Sequence, residues 1–406
     1  MKEIYKIVIR LRPVHTHLNG CVGRVFILLL IFSFSSCKNT SENINGNAVN
    51  NTTEDLYTQK TEIKEAIGFG VTYHGNYKLL HIFQHYEEES DTITYLLKPK
   101  DLPVPSGKEN LPVINTPIKK LIALSSSHFG LIAQFDAYHT LAAISTKDYA
   151  WDEKILAGVA SGEILEVGEG GSLNVEKVVE LNPDVVMVIG FPGSKNKTYQ
   201  TLSEFGIPVL LNAEWQEPTL TARAEWLKIM AVLLDQEEKG EKDFDHIVKS
   251  YQEMVELAKN TSEKLTTISG LPFKGTWHVP GGNSYVAKAL NEAGANYFWK
   301  EDTSTGGIPM DFEMVYNKGL EADIWINPGV SRSKEDLLAK DSRFADLKPF
   351  KTGQIYNNNK RQKGAMGNDY YASGIVKPHI ILADLIKIFQ PELLPDHELF
   401  YFKKFD

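Results

Sequence analysis

Cysteine is almost missing: Cys21 and Cys37 are the two in a chain of 406 residues. Nothing after Cys37 can close an intrachain disulfide, so whatever folds beyond it is held by its own core. Positive charge is also in short supply. Forty-three basic residues face 52 acidic ones, giving a formal net charge of −9. Without a local basic stripe, that balance argues against a nucleic-acid surface. No apolar run reaches membrane-span length, since VFILLLIFSF at 25–34 is too short to cross a bilayer. Nucleotide and hydrolase signatures are absent as well. Gly168, Gly170 and Gly171 do not make GxGxxG, and no GxxxxGK[ST], GxSxG or HExxH occurs. What remains, 42% hydrophobic and 23% charged, is the composition of a globular protein long enough for two domains.

The N-terminus predicts export. Lys2, Lys6, Arg10, Arg12 and Arg24 precede the short apolar run, and Ser35, Ser36 and Cys37 follow it. A positive stretch, a short apolar core and small residues at the end make a signal peptide over 1–36. FSSC resembles a bacterial lipobox, in which the cysteine, here Cys37, becomes the lipidated first residue. The polar segment KNTSENINGNAVNNTTED carries six asparagines and no apolar periodicity, so 37–56 reads as a lipidated cysteine with a flexible tether. The implied location is the periplasm, lipid-anchored, with exposure on the cell surface as the alternative.

Beyond the tether, GFGVTYHGNYKLLHIF alternates around Gly75-Asn76 and reads as a hairpin. Short apolar runs (KKLIALSS, TLAAIS, VVMVIG, PVLLN) then alternate with helical stretches, the pattern of a parallel α/β sheet. In 237–260, Phe244, Ile247, Val248, Tyr251, Met254, Val255 and Ala258 fall at helical spacing and mark one long amphipathic helix. The α/β alternation resumes after it with TWHV, YVAKALNEAG, DIWINPG and QIYNNN. A last helix, IVKPHIILADLIKIF, is stopped by Pro391. The predicted architecture is α/β: two Rossmann-like lobes, 57–235 and 265–406, joined by a long rigid helix at 236–264, with a ligand cleft between them.

One phrase occurs twice. SLNVEKVVELNPDVVMVIG at 172–190 and PMDFEMVYNKGLEADIWINPG at 309–329 each offer a helix start, a first-turn glutamate, an amphipathic run and an apolar strand. Asn174 and Asp311 suit the N-cap, and Glu176 and Glu313 sit where a helix favours negative charge. Recurrence in both lobes gives the two carboxylates a shared outward role, such as meeting a two-fold partner with basic pockets. At this point the chain resembles the substrate-binding proteins of ATP-binding-cassette importers that handle ferric siderophores, haem and vitamin B12. VGEGGSLNVEKVVELNPDVVMV is similar to that family's signature. SSSH (125–128), RAEW (223–226), WHVPGGNSY (277–285) and GNDYYASG (367–374) resemble a lipoprotein branch of it. The resemblance implies that Glu176 and Glu313 dock on arginines of a two-fold permease served by ATPase subunits, with an outer-membrane receptor as a further partner.

In open α/β sheets ligands lie beyond the carboxyl ends of the strands. By that rule the ligand-binding candidates of the first lobe are His128, Tyr149, Trp151, Phe191 and Trp215. The second lobe adds Trp277, His278, Tyr285, Arg361, Tyr370 and Tyr371. Aromatics suit a large flat or macrocyclic ligand, and Arg361 suits an anionic chelate. His128 either ligates a metal or haem iron, or hydrogen-bonds to shape its loop. No dense histidine cluster points to a resident metal, and no cofactor or catalytic residue is expected. The expected function is capture of an iron complex, foremost a ferric siderophore, for delivery to an importer. The alternatives are a corrinoid or haem, then a bare metal, and in another class a lipid-anchored α/β enzyme.

Overall fold

The computed structural model describes residues 55–406 except 87–88, 191–195, 260–263 and 365. The signal peptide, Cys37 and nearly all of the tether lie outside the described residues.

The first lobe is built on a five-stranded parallel sheet. Its strands run in the order 165–166, 141–144, 121–123, 185–189, 209–212. Strands Leu121–Ala123 and Val185–Ile189 are buried along nearly their whole length, as a sheet covered on both faces requires. The second lobe repeats the plan with strands 296–297, 266–269, 324–326 and 355–357 in parallel and 403–404 antiparallel at the edge. Beside it, strands 272–273, 276–280 and 307–311 form a small antiparallel sheet.

The helix Glu237–Ala258 joins the lobes. At 1.5 Å per residue its 22 residues span about 33 Å. Its apolar stripe is divided between the lobes: Phe244 and Ile247 belong to the first-lobe core, Tyr251 and Ala258 to the second-lobe core. A helix buried in two cores at once is a stiff connector. Among the described residues no helix is long and apolar enough to cross a membrane.

The hairpin foreseen in the sequence forms from Phe69–His74 and Tyr77–Tyr86, with Gly75 at φ 55° in its turn. Two strands that the sequence did not announce, Glu89–Pro99 and Val113–Thr116, extend it to a four-stranded sheet. Phe69, Leu80, Ile82, Tyr95 and Ile114 of that sheet merge with the first-lobe core. Buried carboxylates fasten the segments at either end. Glu225 accepts the backbone N–H groups of Lys64, Glu65 and Ala66 together with Lys228 Nζ. Asp384 accepts those of Phe400, Tyr401 and Phe402 and pairs with His397 Nε2 at 2.7 Å.

The lobes also touch directly along one flank. Gly130, in the first-lobe helix Ser126–Gln134, lies so close to the second lobe that a Cβ there would fall 2.1 Å from the Ala372 carbonyl oxygen. Nearby, Lys363 pairs with Glu153, and the Arg361 guanidinium lies 4.9 Å from the Trp151 ring.

Candidate ligand cleft

The carboxyl ends of both parallel sheets open onto one interlobe cleft of about 940 Å³. First-lobe loops supply Ser125, Ser126, Tyr149, Glu169 and Tyr199; second-lobe loops supply Val330, Asn358, Gln362 and Tyr371. Two smaller hollows continue it. One of about 310 Å³ shares Ser125, Ser126, Ile189 and Tyr371 with the main cleft and adds Glu214, Trp215, Arg223 and Tyr285. The other, about 320 Å³, shares Trp215, Tyr285 and Tyr371 and reaches His278 and Asn327. Tyr371, 45% exposed, stands where all three meet.

Local hydrogen bonds set these walls. Ser125 caps the helix Ser126–Gln134, accepting from the Ser127 N–H. Tyr149 Oη donates to Glu169 Oε1 at 2.5 Å, and this bond helps push its hydroxyl up to about 12. Trp215 Nε1 donates to the Gly190 carbonyl at 3.0 Å and fixes the indole against the strand end. In the second lobe, Asn357 Nδ2 donates to the carbonyls of Gly329 and Ser331 and binds the loops after two strands into one wall.

Beneath the floor lies a buried ion pair, Arg223 Nη2 to Glu214 Oε1 at 3.5 Å, with the guanidinium carbon 4.1 Å from the Tyr285 ring centroid. Burial pushes the Glu214 carboxyl upward while the neighbouring Arg223 cation pulls it back. Neither residue was singled out as a ligand contact from sequence. The RAEW tetrapeptide was the available signal, and its arginine faces the cleft floor.

Of the sequence candidates, Tyr149, Trp215, His278, Tyr285, Tyr370 and Tyr371 line these hollows. Four do not. His128 is fully buried, and among the described residues both of its ring nitrogens lack a partner. It neither reaches the cleft nor hydrogen-bonds to shape a loop, and burial drives its pKa down to about 3, keeping the ring neutral. Trp277 is also fully buried; it packs on Phe312, Trp325 and Phe344 and donates Nε1–H to the Ser269 carbonyl. Strand alternation explains it, because in Thr276–Pro280 Trp277 turns inward and His278 outward. Trp151 and Arg361 meet each other at the flank, and Arg361 bonds Asp369 at 2.6 Å, so its charge is already answered. Phe191 lies outside the described residues.

Glu176 and Glu313 are exposed in the first turns of helices Val175–Leu181 and Phe312–Gly319, capped by Asn174 and Asp311 as foreseen. Among the described residues no group of three or more His, Cys, Asp or Glu side chains is arranged to hold a metal ion.

The periplasmic binding protein family model matches residues 121–361, from the first strand of one parallel sheet to the loop beyond the other. The chain belongs to this family. Its members are solute-binding transport proteins rather than enzymes. This periplasmic binding protein is 28% identical to an uncharacterized lipoprotein of Methanocaldococcus jannaschii, over 77% of this chain and 76% of that one. In fold it is similar to Helicobacter pylori CeuE with Ni(II) bound, at TM-score 0.53 and 21% identity over 70% of this chain and 88% of that one. It is likewise similar to a possible iron-binding, periplasmic solute-binding protein of Staphylococcus epidermidis, at TM-score 0.51 and 16% identity over 67% and 99% of the two chains.

Proposed function

We propose that this periplasmic binding protein captures an iron complex, foremost a ferric siderophore, and delivers it to an ATP-binding-cassette permease. The observation that carries this reading is the interlobe cleft. Its volume of about 940 Å³ lies at the upper end for small-molecule sites, and hydroxyls, amides and tyrosines line it. Such a wall suits an organic chelate that shields its own metal better than a bare ion, which needs converging ligand side chains. A corrinoid or haem would use the same surfaces. The names of the fold neighbours, one iron-binding and one carrying Ni(II), agree with metal-linked cargo. Cys37 would carry the lipid, in keeping with the lipoprotein relative. Glu176 and Glu313 would meet arginines of the permease, one from each lobe.

Titration of intrinsic tryptophan fluorescence tests the cargo, since Trp215 stands at the cleft wall. Ferric hydroxamates, ferric catecholates, haem and cobalamin are added in turn. One saturable, stoichiometric ligand supports the reading, and no response to any of them removes it. Replacing Cys37 with Ser and fractionating cells tests the anchor, because protein that stays equally membrane-bound defeats the lipidation.

A further inference from the structure

Four buried polar atoms in residues lining these hollows have no hydrogen-bond partner among the described residues: Glu214 Oε2 and Arg223 Nε in the first lobe, Asn327 Oδ1 and Asn359 Oδ1 in the second. A buried polar atom without a partner is costly, so such atoms mark places where something else completes the bonding. Three of the four are acceptors. Asn359 is oriented by its own Nδ2, which donates to the Ser331 carbonyl at 3.0 Å and leaves Oδ1 unanswered. Glu214 turns Oε1 toward Arg223, and Oε2 is the oxygen that remains unpartnered among the described residues. The Tyr285 ring lies over the Arg223 guanidinium.

We infer that the cleft selects chelates whose periphery donates hydrogen bonds, through carboxamide or ammonium groups, over chelates whose periphery only accepts them, through carboxylate or catecholate oxygens. The inference rests on the chelate-binding reading and narrows it. A primary carboxamide completes the floor in one contact: its N–H meets Glu214 Oε2 while its carbonyl takes the Arg223 Nε–H. To do so it takes the place of the Tyr285 ring. On the opposite wall, further N–H groups meet the Asn327 and Asn359 oxygens. A carboxylate in the same position satisfies Arg223 alone and sets a second negative charge against Glu214. The pairing of Arg223 with Glu214 is therefore what separates this floor from a simple anion site.

Matched probes on two metal cores test the inference by tryptophan quenching. One pair is cobinamide, with peripheral carboxamides, and cobyrinic acid, the same ring with carboxylates. The other is ferrioxamine B, ending in an ammonium, and its N-succinyl derivative, ending in a carboxylate. Ferric enterobactin and haem are run beside them. The expected result is that, on whichever core binds, the donor-bearing member is at least about tenfold tighter, the scale of one well-placed hydrogen bond to a charged group. Equal or tighter binding of the carboxylate member overturns the inference and leaves chelate binding standing. So does tightest binding by enterobactin or haem. Failure of every probe removes the chelate reading and the inference with it. Glu214→Gln, with its melting curve as the folding control, should shrink the donor preference severalfold; an unchanged ratio in a folded variant overturns the role given to Glu214.

Discussion

In the first lobe, Asn174 caps the helix Val175–Leu181, and Glu176 stands exposed with no ion pair among the described residues. In the second, Asp311 caps Phe312–Gly319, accepting from Glu313 N–H where Asn174 accepts from Lys177 N–H, and Glu313 is held at 3.0 Å by Arg343, whose guanidinium rests on the Phe312 ring. The backbone of the phrase is specified locally, by a cap, a first-turn acid and an apolar period. The electrical state of its glutamate is not. Arg343 arrives from thirty residues downstream and leans on Asp341 as well. Two copies of one local instruction thus present a bare carboxylate on one rim and a partly neutralised one on the other.

The docking reading predicts the largest effect. Glu176→Arg combined with Glu313→Arg should abolish uptake of the cargo while leaving its affinity unchanged, since neither residue lines the cleft. Normal uptake by the folded double variant removes the docking role. The asymmetry of the rims adds a ranking: Glu176→Arg alone should impair uptake more than Glu313→Arg alone. The reverse order would show that Arg343 presents Glu313 to the partner rather than shielding it.

A second comparison concerns the buried carboxylates that fasten the ends of the described chain. Glu225→Ala and Asp384→Ala each strand several backbone donors, so each should lower stability by roughly 3–5 kcal/mol in urea unfolding. If the long helix couples the lobes, one transition shifts in both variants. Two separate transitions, with each variant moving only its own, would show the lobes unfolding independently.

A pH-dependent effect, smaller within any one pH unit, comes next. With a folded pKa near 3 and an ordinary unfolded value of 6.5, His128 takes up a proton on unfolding throughout that interval. Stability from this group is complete above about pH 6.5 and declines as pH falls, by at most about 1.4 kcal/mol per unit. His128→Leu should flatten that part of the curve, and an unaltered slope would assign it to other groups. The smallest changes belong to the caps: Asn174→Ala and Asp311→Ala should each cost about 1 kcal/mol in thermal melts.

The lobes, the connecting helix and the duplicated phrase were legible because each rests on periodicity, which survives any tertiary arrangement. The strands Glu89–Pro99 and Val113–Thr116 were not, since turn-rich sequence between them hid their pairing. Site residues were legible to the level of the loop and not of the side chain. Position after a strand found Tyr149, Trp215 and Tyr371, but it also proposed both Trp277 and His278, adjacent residues that a strand must send to opposite faces. His128 was misplaced for a related reason: it follows a strand, but it lies in the first turn of the helix Ser126–Gln134, where its ring turns fully inward. Arg223 was quoted only as part of RAEW and not as a cleft residue, because its buried partner Glu214 lies nine residues away in a separate turn.

The flank where Gly130 meets Ala372 and Lys363 meets Glu153 has a mechanical consequence. A hinge held by the helix alone would yield gradually to a spreading load applied at the rims. Here the close backbone approach, the ion pair and the Arg361–Trp151 contact bridge the same two lobes along one flank, in addition to the helix. Each is weak by itself, and an exposed ion pair resists little, but contacts sharing one load give way nearly at once. The pair of lobes should therefore respond to pulling as a snap fastener does, with little extension below a threshold force and a sudden one above it.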